Sequence, residues 1–102
     1  MLKFKFLCHI SEITSGKPFI TNIDNDQQIV IFRTEDNYYA IENRCPHAGA
    51  YLHEGYIEEQ ILICHWHGWK FNLETGQGLD DPLAKLKTYP LKLEGGNIYI
   101  IL

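Results

Sequence analysis

The residues of this chain best equipped for chemistry lie in two short segments. Cys45-Pro46-His47-Ala48-Gly49-Ala50 sets a thiol and an imidazole two positions apart, and Cys64-His65-Trp66-His67-Gly68-Trp69 sets them three apart. Sixteen residues separate His47 from Cys64. Thiolate and neutral imidazole are ligands for zinc, copper and iron. Each segment offers one of each, with Gly49 and Gly68 following closely on the imidazoles. A glycine there lets the backbone bend tightly and bring N–H groups near a bound sulfide. A structural zinc site is the main competitor. Zinc sites with two cysteines and two histidines usually pair like ligands, at C-x2-4-C and H-x3-5-H spacing. Mixed pairs suit a two-iron centre better, with both thiolates on one iron and both imidazoles on the other.

The elements that must hold these segments follow a period of two. Leu2, Phe4 and Phe6 alternate with Lys3 and Lys5, which reads as a half-buried strand. Gln28 to Arg33 and Tyr38 to Glu42 are β-rich runs joined by Thr34-Glu35-Asp36-Asn37, a hairpin pattern. Tyr56-Ile57 and Ile61 to Ile63 flank Glu58-Glu59-Gln60 as a second hairpin. Leu91 and Leu93 alternate with Lys92 and Glu94. After Gly95-Gly96-Asn97, Ile98, Ile100 and Leu102 share a face, giving a third. No window of a dozen residues carries a capped helical period. The pattern predicts an all-β fold, a small antiparallel sandwich or barrel. Asn43 to Leu52 and Cys64 to Phe71 break it at the ends of predicted strands, where loops can present functional groups.

Composition narrows the class. A chain of 102 residues makes one domain, too short for a multi-domain enzyme. Its 45% hydrophobic content excludes intrinsic disorder. The longest apolar runs, such as Ile61-Leu62-Ile63-Cys64, are too short to cross a membrane. The start, MLKFKFLCHI, lacks the continuous apolar stretch of a signal peptide. A net charge of -4 without a basic stripe argues against a nucleic-acid partner. Three cysteines argue against a secreted disulfide framework, so the cytoplasm is the expected compartment.

The two segments resemble the paired boxes of Rieske proteins. Phe71, Thr75-Gly76 and Pro82 stand where that family has an aromatic residue, a Thr-Gly turn and a proline-containing third loop. The resemblance runs from about Tyr38 onward. It implies one [2Fe-2S] cluster, with Cys45 and Cys64 on one iron and His47 and His67 on the other. It also implies three stacked antiparallel sheets with both cluster-binding loops at one tip. The whole of 1–102 is then a single Rieske domain, with a cluster-binding subdomain at roughly 43–72. Imidazole in place of thiolate leaves the core less negative and raises its potential.

Departures from the family pattern point to one branch of it. The extra cysteines that form a disulfide in high-potential members are replaced by Ala50 and Trp66. The Ser and Tyr whose hydroxyls reach sulfur in those members are replaced by Trp69 and Phe71, which lowers the potential. The chain thus resembles the soluble, low-potential ferredoxins of aromatic-ring dioxygenase systems. Those accept an electron from an NAD(P)H-fed flavoprotein reductase and pass it to a terminal oxygenase, without being enzymes themselves. The small subunit of nitrite-reductase-type enzymes is the alternative, and a structural zinc module is a third. No length remains for a mononuclear-iron oxygenase domain. Cys8 reads as a buried apolar residue, His9 and His53 as surface or packing residues, and His65 as a solvated loop residue. Trp66 and Trp69 read as packing around the site, and Tyr38 and Tyr39 as hairpin packing.

Overall fold

The computed structural model describes residues 3–14, 17–24, 26–35, 37–46, 49–66, 68–81 and 83–102. Among them the strands are β1 (Phe4–His9), β2 (Phe19–Asn22), β3 (Gln28–Thr34), β4 (Asn37–Glu42), β5 (Tyr56–Glu58), β6 (Ile61–Ile63), β7 (Lys70–Asn72), β8 (Thr88–Tyr89), β9 (Leu91–Glu94) and β10 (Asn97–Ile101). Among the described residues helix is confined to two single 3₁₀ turns, Ile10–Glu12 and Leu52–Glu54. No helix among the described residues is long and apolar enough to cross a membrane. The strands form three antiparallel sheets: a base sheet β1-β10-β9, a central sheet β2-β3-β4-β8 and a site sheet β5-β6-β7.

Burial shows how the sheets stack. On β3 and β4, Ile29, Ile31 and Ala40 pack with Cys8, Ile13, Ile98 and Ile100 toward the base sheet. Val30, Phe32 and Ile41 pack instead with Cys45, Leu52, Leu62, Cys64, Phe71, Leu73 and Leu86 toward the site sheet. Successive strand residues point to opposite faces, so the central sheet serves two cores at once. That is why β3 reads as an unbroken apolar run rather than an alternation.

The three predicted hairpins form within a residue or two of the expected bounds. Their turns use positive φ at Glu35 (53°), Glu59 (58°), Gly95 (60°) and Gly96 (83°). Three strands were not predicted: β2, β7 and β8. All are four residues or shorter and gain their conformation from their neighbours in the sheet rather than from local pattern.

The first strand forms as predicted, but its phenylalanines do not turn inward. Phe4 and Phe6 are 48% and 55% exposed, whereas Cys8 is buried. The ladder pairs Phe4 with Ile101 and Phe6 with Tyr99, then shifts so that Cys8 pairs with Ile98. Leu7 is the extra residue of a β-bulge, and the bulge turns Cys8 into the core while both phenylalanines stay outside. Outside, the Phe6 ring meets Tyr99 edge-on at 5.8 Å between centroids. The Lys92 ammonium lies 4.7 Å from the Phe4 ring centre. Leu2 falls outside the described residues.

Candidate metal centre

The two cysteine-containing segments form loops of matching design. The Cys45 N–H donates to the Ala50 carbonyl at 2.7 Å, and the Cys64 N–H donates to the Trp69 carbonyl at 2.8 Å. Each cysteine therefore closes its loop on the carbonyl five residues ahead. The residue before that carbonyl is Gly49 (φ 69°) or Gly68 (φ 71°). Among the described residues, a side chain at Gly68 would meet nothing within 4 Å, and at Gly49 Arg44 Nη1 at 3.7 Å. Glycine suits both places for its left-handed backbone.

Both thiols end in the core beneath the loops, Cys45 at 1% and Cys64 at 0% exposure. They belong to one and the same core cluster. Burial pushes the Cys64 thiol up from its ordinary pKa; a hydrogen bond from the Trp66 N–H works against this, and the Cys45 thiol adds to it. Leu52, Leu62, Phe71 and Leu86 surround the pair, and Ala50 and Trp69 pack against that core from the side.

A third loop completes the tip. The Gly78 N–H donates to the Ala84 carbonyl at 2.8 Å, and Ala84 N–H to the Asp81 carbonyl at 3.0 Å. The Asp81 carboxylate caps Leu83 N–H at 2.9 Å, and Asp80 accepts from Lys70 N–H at 2.8 Å. A Cβ at Gly78 would stand 2.8 Å from two of these carbonyl oxygens, so only glycine fits. An open cavity of about 460 Å³ is walled by Pro46, Trp69 and the third-loop residues Asp81, Leu83, Ala84 and Lys85. Both cysteine boxes and the third loop therefore converge. Leu83 stands 93% exposed at that mouth.

Of the four expected ligands, the structure brings Cys45 and Cys64 together. His47 and His67 lie outside the described residues, as does Pro82. Among the described residues no three His, Cys, Asp or Glu side chains gather as a metal site. His65 is exposed and pairs with Glu54 at 3.5 Å, a surface contact of little energy. His9 caps the Ile10–Glu12 turn, its Nδ1 accepting from Ser11 N–H at 3.1 Å. Trp69 packs against the site core as expected, whereas Trp66 is 51% exposed, with its ring edge-on to His65 at 6.4 Å between centroids. Tyr38 packs on the base core and Tyr39 on the site core. The residue that sequence reading passed over is Asn43, which is wholly buried just ahead of the first box. Its one sequence signal is an amide directly after a strand and two positions before the first box's cysteine.

Two adjacent buried thiols, with a backbone N–H directed at one sulfur, fit the thiolate half of a metal centre. The thiol pair alone would suit zinc as well as iron. The sequence profile of the Rieske [2Fe-2S] domain matches residues 3–90. The chain belongs to the Rieske [2Fe-2S] domain family, and the cofactor of that domain is a [2Fe-2S] cluster. Within that family its relatives are electron-transfer ferredoxins. It is 35% identical over 97 residues to the 3-phenylpropionate/cinnamic acid dioxygenase ferredoxin subunit of Escherichia coli strain K12, covering 93% of this chain and 90% of that one. It is 29% identical over 100 residues to the alkene monooxygenase ferredoxin component of Xanthobacter autotrophicus, covering 97% and 81%. A chain in the complex of reduced oxygenase and oxidized ferredoxin of carbazole 1,9a-dioxygenase superimposes with a TM-score of 0.84 at 26% identity, covering 95% and 91%. The putative NADH-dependent nitrite reductase small subunit of Mycobacterium tuberculosis shares the fold, with a TM-score of 0.89 at 21% identity over 100% of this chain and 96% of that one.

Proposed function

We propose that Cys45 and Cys64 hold one iron of the cluster and His47 and His67 the other. We further propose that the chain ferries single electrons from an NAD(P)H-fed flavoprotein reductase to a terminal oxygenase. The observation that carries this reading is the burial in one core of two cysteines drawn from two loops of the same closed design. When bound, the cluster supplies a centre that takes up and releases one electron. The chain's own residues do the rest. Phe71, Leu52 and Leu62 keep water from the inner side of the thiols. The Trp66 N–H favours the thiolate form of Cys64. Pro46, Trp69 and Leu83 leave an apolar mouth at the tip, suited to close approach of a partner. In this reading the chain is a carrier and not an enzyme, it works in the cytoplasm, and residues 43–72 form the cluster-binding part of a single domain. The relative sharing 35% identity is a dioxygenase subunit, which favours an oxygenase over a nitrite-reductase-type acceptor.

Low-temperature EPR of the dithionite-reduced protein tests the ligands. The expected spectrum has the g-average of histidine-ligated clusters, below that of four-thiolate clusters. His65→Ala should keep that spectrum and His67→Ala should lose it; the reverse would reassign the second box. Turnover of a purified oxygenase with NADH, reductase and this protein tests the role. Absence of turnover, together with fixed-stoichiometry copurification with a larger reductase subunit, would overturn it.

A further inference from the structure

The necks of the two cluster loops are closed by different means. The second loop leaves β6 and returns to β7, its ladder partner, with Ile63 opposite Lys70. Backbone hydrogen bonds close it. The first loop leaves β4 in the central sheet and returns through the Leu52–Glu54 turn to β5 in the site sheet. No ladder joins those two strands. A side chain spans the gap instead. Asn43 Oδ1 accepts from His53 N–H at 2.8 Å, and its Nδ2 donates to His53 Nδ1 at 2.9 Å and to Gln28 Oε1 at 2.7 Å. The Asn43 N–H donates to the Gln28 carbonyl at 2.9 Å.

This arrangement admits one assignment. The His53 backbone N–H can only donate, so the amide oxygen must face it. The amide nitrogen can only donate, so His53 Nδ1 must accept and its ring proton sits on Nε2. Asn43 is wholly buried, so each lost partner leaves a desolvated polar atom. On one side of this pin, Cys45 follows two residues later. On the other, Leu52, the neighbour of His53, packs in the same core as both thiols.

We propose that Asn43 is the positioning residue of the first cluster loop, fixing Cys45 against Cys64 by bridging the loop's two ends through His53. The inference rests on the ligand assignment above. It predicts that the pin governs cluster geometry and retention beyond its share of overall stability.

The test uses holoprotein and four variants. Asn43→Ala removes the pin. His53→Phe keeps ring volume and removes the acceptor, whereas His53→Asn places an obligate acceptor oxygen where Nδ1 stands. Ile100→Ala, in the base core, is a purely structural control. Cluster loss is followed by visible absorbance at a fixed interval below each variant's own Tm, with EPR g-values and midpoint potential read in parallel. Asn43→Ala and His53→Phe should lose the cluster at least fivefold faster than Ile100→Ala and show altered g-values. His53→Asn should stay within twofold of the parent protein. If Asn43→Ala does not accumulate, the His53 pair decides. Equal behaviour of His53→Phe and His53→Asn, or of Asn43→Ala and Ile100→Ala, overturns the inference. Retention of an intact cluster by Cys45→Ser would instead overturn the ligand assignment.

Discussion

Cys8 in the base core and the Cys45–Cys64 pair in the site core are buried to the same degree, yet their surroundings differ in kind. Cys8 sits on a strand among isoleucines, with burial and then Glu12 pushing its thiol up to about 11. Cys45 and Cys64 sit at the mouths of loops, each thiol facing the other, with a backbone N–H on one sulfur. Burial therefore does not distinguish Cys8 from the two cysteines proposed as ligands. Loop closure and the neighbouring thiol do.

The sharpest way to break this contrast is to exchange sulfur for oxygen. Cys45→Ser or Cys64→Ser should drop iron and acid-labile sulfide to near zero, whereas Cys8→Ala should keep the full visible spectrum. Loss of colour in Cys8→Ala would erase the distinction. Next in size are matched cavities. Leu62→Ala and Ile100→Ala are each expected to cost about 2–5 kcal/mol in denaturant titrations, since both side chains are fully buried. Only Leu62→Ala, in the core of the two thiols, should also hasten cluster loss.

The pH dependence of Cys8 gives a smaller effect. Its folded pKa of about 11 lies above the ordinary 9.0, so the unfolded chain ionises first. This contribution is flat below the unfolded value and falls as pH climbs toward the folded one, by at most about 1.4 kcal/mol per unit. Cys8→Ala should remove that alkaline loss in thermal melts compared with the parent holoprotein. A parallel decline in both would assign it elsewhere. The smallest expected change is Phe71→Tyr. Phe71 is fully buried in the core that holds both thiols. A hydroxyl reaching sulfur should favour the reduced state by roughly 1 kcal/mol and raise the midpoint potential by some tens of millivolts in film voltammetry. An unchanged potential, with the hydroxyl seen at sulfur, would show that this hydrogen bond does not set the potential.

What was legible in the sequence was whatever repeats locally. The hairpins showed through their period of two and their turn residues, and the cysteine boxes through their ligand types. What escaped depended on the third dimension. Cys8 rather than Phe4 and Phe6 enters the core, beside a register shift at Leu7 that no hydropathy pattern records. Lys70 and Phe71 looked like loop because three residues carry no period; pairing with β6 makes them a strand. Asn43 and His53 looked ordinary because their partnership crosses between sheets, ten positions apart in the chain.

The two-sided strand β3 carries a further consequence for how the chain tolerates change. Ile29 and Ile31 address the base core, and Val30 and Phe32 address the site core. Swapping one aliphatic residue for another of similar volume perturbs one core and leaves the other intact. Inserting or deleting a single residue is different, because every downstream side chain changes face. Phe32 would then be driven between the base and central sheets, and isoleucines would crowd the thiols. The turn after Thr34, with Glu35 in a left-handed conformation, is the origin from which that count is kept. Length variation is thus forbidden in β3 and β4, and the chain can absorb it only in the loops beyond them.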